Sequence, residues 1–190
     1  MKKILSYNLF EEYKFIPDIA KNRKYWYLID TEEILKISDN IIDLIKTAYK
    51  NTPHGSFVNS EEDMLRSSDW YAIDIDNEQD ADAVVFGRKT EFGLKIQGIG
   101  HDGDKTSKKI VMDKMFSLLN REGFWVEASD KIEYLLYKNN IPYIEDVKHI
   151  KRLFPDSEIY MEGEKGKYTR TLSNNKTTKE TVFGKPIFNK

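Results

Sequence analysis

The 190-residue chain contains no cysteine, so disulfides, thiolate metal sites and a cysteine nucleophile are all excluded. That absence also fits a reducing compartment. Histidine is scarce: His54, His101 and His149 stand far apart in sequence, without the ligand spacing of a zinc or iron site, and no resident metal is expected. No apolar run approaches membrane-spanning length, and the opening MKKILSYNLFEEYKF meets Glu11, Glu12 and Lys14 before a signal-peptide core can accumulate. A cytoplasmic protein without membrane attachment is the expectation. Charge of one sign is lacking too. Thirty Lys and Arg against 32 Asp and Glu leave a net charge of −2, so no global basic field draws the chain to nucleic acid.

What is present suits one globular domain with a sizeable core: 39% hydrophobic and 13% aromatic residues. Residues 1–24 mix aromatic and charged residues without a clean period and read as an N-terminal extension; 25–172 read as the domain, and 173–190 as a polar C-terminal tail with one apolar anchor, VFGKPIF. YWYLID (25–30) predicts a strand, and Ile34, Ile37, Ile41, Leu44, Ile45 and Ala48 then recur at helical spacing. NSEEDMLRSS predicts a further short helix. From Asp69 the period becomes two, with Tyr71, Ile73 and Ile75 set against Asp74 and Asp76. With ADAVVFGRKT and FGLKIQGIG following, an antiparallel meander results. Helical spacing returns through Val111, Met112, Met115, Phe116, Leu118 and Leu119, and Gly123 is the expected stop. FWVEAS predicts a buried strand, DKIEYLLYKNN a helix, VKHIKRLF a short helix ended by Pro155, and SEIYMEGEKGKYTRTL a hairpin.

Two segments carry chemistry. GIGHDGDKTSKK, between a strand and a helix, carries Gly100 and Gly103, which loosen the backbone. Thr106 and Ser107 stand at the helix start, with Lys105, Lys108 and Lys109 for charge, a pattern suited to phosphate. Asp102 and Asp104 oppose it, and an ordinary capped turn fits the same letters. GIGHDGDKT also resembles a P-loop, with Asp104 inserted between Gly103 and the Lys105 that should follow it directly. A nucleotide-binding, kinase-like protein is the reading that follows from it. The second segment is DKIEYLLYKNNIP, where Tyr137 follows Leu136 on a short helix. Taken alone, Tyr137 reads as a packing aromatic beside Tyr134.

The succession of elements, together with Leu136-Tyr137 at its offset, resembles the GNAT acetyltransferase superfamily, whose members carry N-x-x-A-x-x-L-Y-x-K-x-G-F after the fifth strand. Here Asp130, Glu133 and Ile141-Pro142 depart from that pattern. In the family's pyrophosphate loop, R/Q-x-x-G-x-G/A, Lys105 keeps the basic residue while Lys108 and Ile110 replace both small ones; KIQGIG, with Lys95 as the basic residue, fits the motif but sits too early. The resemblance implies an α+β (α/β GNAT-like) fold. It would be a central, mostly antiparallel mixed sheet of about seven strands flanked by about four helices, with the fourth and fifth strands splayed. It implies an N-acetyltransferase using acetyl-CoA, without metal, on a small-molecule, protein or nucleobase amine. Tyr137 would be the general acid, Ile99 and Gly100 the oxyanion amides, and Gly103, Lys105, Thr106, Ser107 and Lys108 the cofactor contacts. Glu127 is the candidate base, with His101, Asp74 or Asp76 as alternatives. Gly98 and Gly100 in an otherwise apolar strand predict a bulge or a close backbone approach there. YTRTL with TTKETVFGKP is similar to the end of phage-encoded GNAT-like proteins. A nucleic-acid acceptor would use the Lys and Arg clusters at 21–24, 105–109 and 148–152. A GNAT-shaped binding module without catalysis is the alternative, and a monomer or homodimer is expected.

Overall fold

A computed structural model describes residues 16–17, 25–30, 40–50, 68–75, 81–163, 165–171 and 176–188. His54, Asp76, the 59–67 stretch expected to be helical and the helical positions before residue 40 lie outside them. The chain divides into two compact units, Met1–Lys89 with Gln97–Met115 and Thr90–Ile96 with Phe116–Lys190.

In the first unit, strands β1 (Ile16–Pro17), β2 (Tyr25–Asp30), β3 (Trp70–Ile75) and β4 (Ala81–Thr90) pair antiparallel in sequence order. The later part of β5 (Gly93–His101) lies beside β4. Helix α1 (Ile41–Lys50) forms because Ile41, Leu44, Ile45 and Ala48 make one apolar stripe, which buries against Tyr71, Ile73, Ala81, Val84 and Phe86. Asn40 fixes its start by pairing its side-chain amide with both backbone groups of Ala81, at 2.8 and 3.0 Å. β3 departs from the half-exposed strand expected of its alternation. Its residues 70–74 are all buried, Asp74 among them, because both faces are covered.

The glycines of β5 have a packing cause. A Cβ on Gly98 would stand 2.5 Å from the Phe86 ring, and one on Gly100 would collide with the Leu44 carbonyl of α1. Gly100 is thus the close backbone approach that the sequence suggested. Gly100→Ala should cost about 1–3 kcal/mol by overpacking, read as a lower urea midpoint. An unchanged midpoint would show that α1 moves aside freely.

In the second unit, the start of β5 pairs in parallel with β6 (Phe124–Ala128), and β6, β9 (Thr177–Gly184), β8 (Tyr168–Thr171) and β7 (Glu158–Met161) follow, each antiparallel to the next. The sheet is therefore mixed and the fold α+β. All seven expected strands are present, with β1 and β9 in addition. β9 corrects the reading of the residues after Ser173 as a tail, since it is paired on both sides. The β5–β6 pairing covers Leu94↔Phe124, Lys95↔Trp125 and Ile96↔Val126, and β5 leaves it beyond Ile96.

Helix α2 (Lys105–Leu119) follows β5, with Val111, Met115, Leu118 and Leu119 buried as their spacing predicts. It ends at Leu119, so Gly123 is not its cap. Gly123 instead has φ 87° in the turn into β6, where its carbonyl accepts from the Leu94 amide at 2.6 Å. Helix α3 (Asp130–Lys138) stops where Asn140 takes a left-handed conformation, φ 54°, tolerable for asparagine. Helix α4 (Val147–Leu153) is capped by the Asp146 carboxylate, which accepts from the Lys148 amide at 2.8 Å. Its Ile150 and Leu153, with Phe154 just beyond, join Trp125, Ile159, Tyr168 and Val182 in the unit's core.

Candidate active site

Cross-strand partners share a sheet face, so register assigns the side chains of the second unit. Glu127 lies opposite Val182, Tyr168 opposite Glu180 and Arg170 opposite Thr178, all on the face that α4 covers. Ala128 lies opposite Thr181 and Val126 opposite Phe183, on the face where α3 packs. Glu127 and Tyr137, both proposed from sequence, are thus on opposite faces of the sheet.

Glu127 is the first β6 residue past the last parallel pair, and its side chain is only 7% exposed. One oxygen accepts from the Tyr168 hydroxyl at 2.6 Å; the other accepts from Arg170 at 2.9 Å and Lys95 at 3.2 Å. Burial pushes its carboxyl up, but the hydrogen bond with Glu180, the charges of Lys95 and Arg170 and the Tyr168 hydroxyl outweigh it and hold the group below the ordinary carboxylate range. Burial, then the neighbouring Glu127, raise the Tyr168 phenol. Glu180 receives a hydrogen bond from Thr178 at 3.1 Å and lies 3.5 Å from the same Arg170 nitrogen. Burial, then the hydrogen bond and charge of Glu127, push Glu180 up to about 7. The Phe154 ring underlies this group, 4.3 Å from the Arg170 guanidinium and 5.5 Å from the Lys95 ammonium.

On the other face, the Tyr137 ring packs edge-on against Phe183 and Tyr143, with centroids 4.8 and 5.2 Å away. Its hydroxyl donates to the Lys165 carbonyl at 2.5 Å and lies 3.3 Å from the Thr181 hydroxyl. Thr181 donates in turn to Glu133 at 3.1 Å, and Lys167 pairs with Glu133 at 3.0 Å. Burial above all, and the charges of Glu133 and Tyr143, raise the Tyr137 phenol, so it is protonated at neutral pH. An open cavity of about 420 Å³ borders Tyr137, lined also by Asn140, Ile141, Pro142, Tyr143 and Glu145.

The strand-to-helix loop belongs to the first unit. His101 accepts the Gly103 amide on Nδ1 at 3.0 Å, Asp102 accepts the Asp104 amide at 2.9 Å, and Asp104 accepts the Thr106 amide at 2.7 Å. Asp104 is therefore the N-cap of α2, and those amide bonds lower its carboxyl. Gly103 has φ 103° with open space around it, and Lys105, Thr106 and Lys108 are exposed. Ser107 is buried and Gly100 lies under α1, leaving Ile99 half-exposed between them in character. Asp74 is fully buried, not solvated as its sequence context suggested.

Sequence reasoning missed Glu180, Tyr168, Arg170, Thr181 and Glu133. The one local signal was the alternation Thr178, Glu180, Val182, which sets a carboxylate two residues before a buried apolar side chain. Among the described residues no group of three or more His, Asp or Glu is placed to hold a metal, and no helix is long and apolar enough to cross a membrane.

No family model matches the chain, and no curated protein matches it in sequence. Among solved structures, it is similar to a candidate phosphinothricin N-acetyltransferase, at 10% identity over 86% of this chain and 99% of that one, with a TM-score of 0.41. It is also similar to a GNAT superfamily phosphinothricin acetyltransferase from Sinorhizobium meliloti in complex with AcCoA, at 10% identity over 85% and 88% of the two chains, with a TM-score of 0.38.

Proposed function

We propose that this protein is an acyl-CoA-dependent N-acetyltransferase that moves an acetyl group from acetyl-CoA to an amine. The observation that carries the reading is the parallel β5–β6 pair, which ends after three residues, with each strand leading into a helix. Ligands of parallel strands gather beyond their carboxyl ends, and Glu127 stands there. In the transfer the amine nitrogen attacks the thioester carbonyl carbon, a C–N bond forms and the C–S bond breaks. Tyr137 gives its proton to the departing thiolate, and a carboxylate on the opposite face takes the proton lost by the amine. Ile99 and Gly100 are proposed as oxyanion amides. Gly103, Lys105, Thr106 and Lys108 are proposed for the pyrophosphate, which would displace the Asp104 carboxylate from the Thr106 amide.

That self-capped loop is also what favours a second reading, a GNAT-shaped binding module without catalysis. Thermal denaturation separates the two. Acetyl-CoA at 100 times its Kd should stabilise the fold by about 2.7 kcal/mol, raising Tm, while ATP with magnesium leaves it unchanged. A rise with ATP alone would favour a nucleotide-binding, kinase-like protein, and a rise with neither would favour the binding module.

A further inference from the structure

Glu127 is poorly suited to accept a proton, because Tyr168, Arg170 and Lys95 already occupy its oxygens. Its neighbour is differently placed. Glu180 and Glu127 converge on one Arg170 nitrogen, at 3.5 and 2.9 Å. The side chain of Glu180 is 19% exposed against 7% for Glu127, so it is the member of the pair with access to solvent. Two carboxylates held against a single guanidinium nitrogen repel each other, and a proton on one of them relieves that repulsion.

We propose that Glu127 and Glu180, converging on Arg170, hold one proton between them, and that Glu180 is the base on the amine side of the transfer; the second half of this rests on the transferase reading. Glu127 then acts as a positioning residue, its negative charge fixed by three donors and its field keeping Glu180 basic. The charged and titratable groups facing Glu180 are Glu127 from β6, Tyr168 and Arg170 from β8, and Lys95 from β5 near Glu127. α4 contributes the Phe154 ring under Arg170.

Protons balance across the two faces. An ammonium acceptor carries three N–H protons and the amide product carries one. One of the two lost passes to Glu180 and on to water, and the other is matched by the proton that Tyr137 delivers to the thiolate and later recovers from solvent.

The pair also sets the sign of a stability change with pH. Glu180 binds its proton more tightly folded than unfolded, so its stabilising contribution is complete below its ordinary value of 4.5 and is lost as pH rises through about 7.

The test uses the full chain with 13C-labelled glutamate carboxyls, wild type against Glu180→Gln. Gln keeps the side chain's size and strands neither Arg170 nor Lys95, since both retain Glu127. One carboxyl should titrate at about 7 in the wild type and be missing from the variant. A second readout is free thiol released from acetyl-CoA with water as the acceptor. Release should rise through the same pH in the wild type, and in Glu180→Gln fall at least about 10-fold and lose that inflection. If every glutamate titrates in the ordinary carboxylate range, the shared proton is overturned. If thiol release keeps its pH profile in the variant, the base assignment is overturned. A carboxyl titrating near neutrality in a protein that neither releases thiol nor is stabilised by acetyl-CoA would remove the transferase, and the base with it, while the shared proton stands.

Discussion

Glu127→Ala is expected to lower folding stability by about 3–5 kcal/mol, the range for removing one partner of a buried ion pair. The carboxylate is the common acceptor of Tyr168, Arg170 and Lys95, so its loss strands Lys95 and a buried hydroxyl and leaves Arg170 only the longer contact with Glu180. Equilibrium urea unfolding measures the effect. Glu162→Ala is the contrast: Glu162 pairs with Lys179 at 2.9 Å on the exposed hairpin, where solvent screens the interaction, and little change is expected. Similar small losses in both variants would mean that water enters the Glu127 cluster and replaces its bonds.

Tyr137→Phe should reduce turnover on the order of 10²-fold, the scale of a positioned general acid. The ring keeps its packing on Tyr143 and Phe183. The Lys165 carbonyl loses its donor, at a stability cost of about 1 kcal/mol. The control is Tyr134→Phe, which should leave turnover unchanged because Tyr134 is 65% exposed. Full activity in Tyr137→Phe would mean that the phenol serves to tie α3 to the turn at Lys165, and that its proton takes no part in chemistry.

Local pattern carried the elements whose partners lie close by in the sequence. The meander β3–β4–β5, the stripe of α2 and the Leu136 face of α3 all follow from periods that a short window displays. β9 did not. TTKETVFG reads as polar, yet Thr181 is buried and Thr178 and Glu180 half-buried against polar side chains of other elements, Glu133, Arg170 and Glu127, and no local period reveals such pairing. The same holds at the site. Glu127 could be chosen from its strand, but its restraint by three donors, and the different environment of Glu180 beside it, exist only once β5, β6, β8 and β9 are assembled. Gly100 could be read as a close backbone approach, but that its neighbour is the carbonyl of Leu44, far earlier in the chain, could not.

β9 is synthesised last among the described strands yet fills the space between β6 and β8. About 50 residues separate it from β6, so at ribosomal speed the β6 edge waits roughly 3–10 s for its partner. During that interval a run as apolar as Phe124–Val126 presents open backbone groups, the circumstance in which strands of neighbouring chains join. Yield in the cell should therefore depend on how quickly the last strand is delivered, with slow translation past Asn140 favouring aggregates even though the finished protein is unchanged.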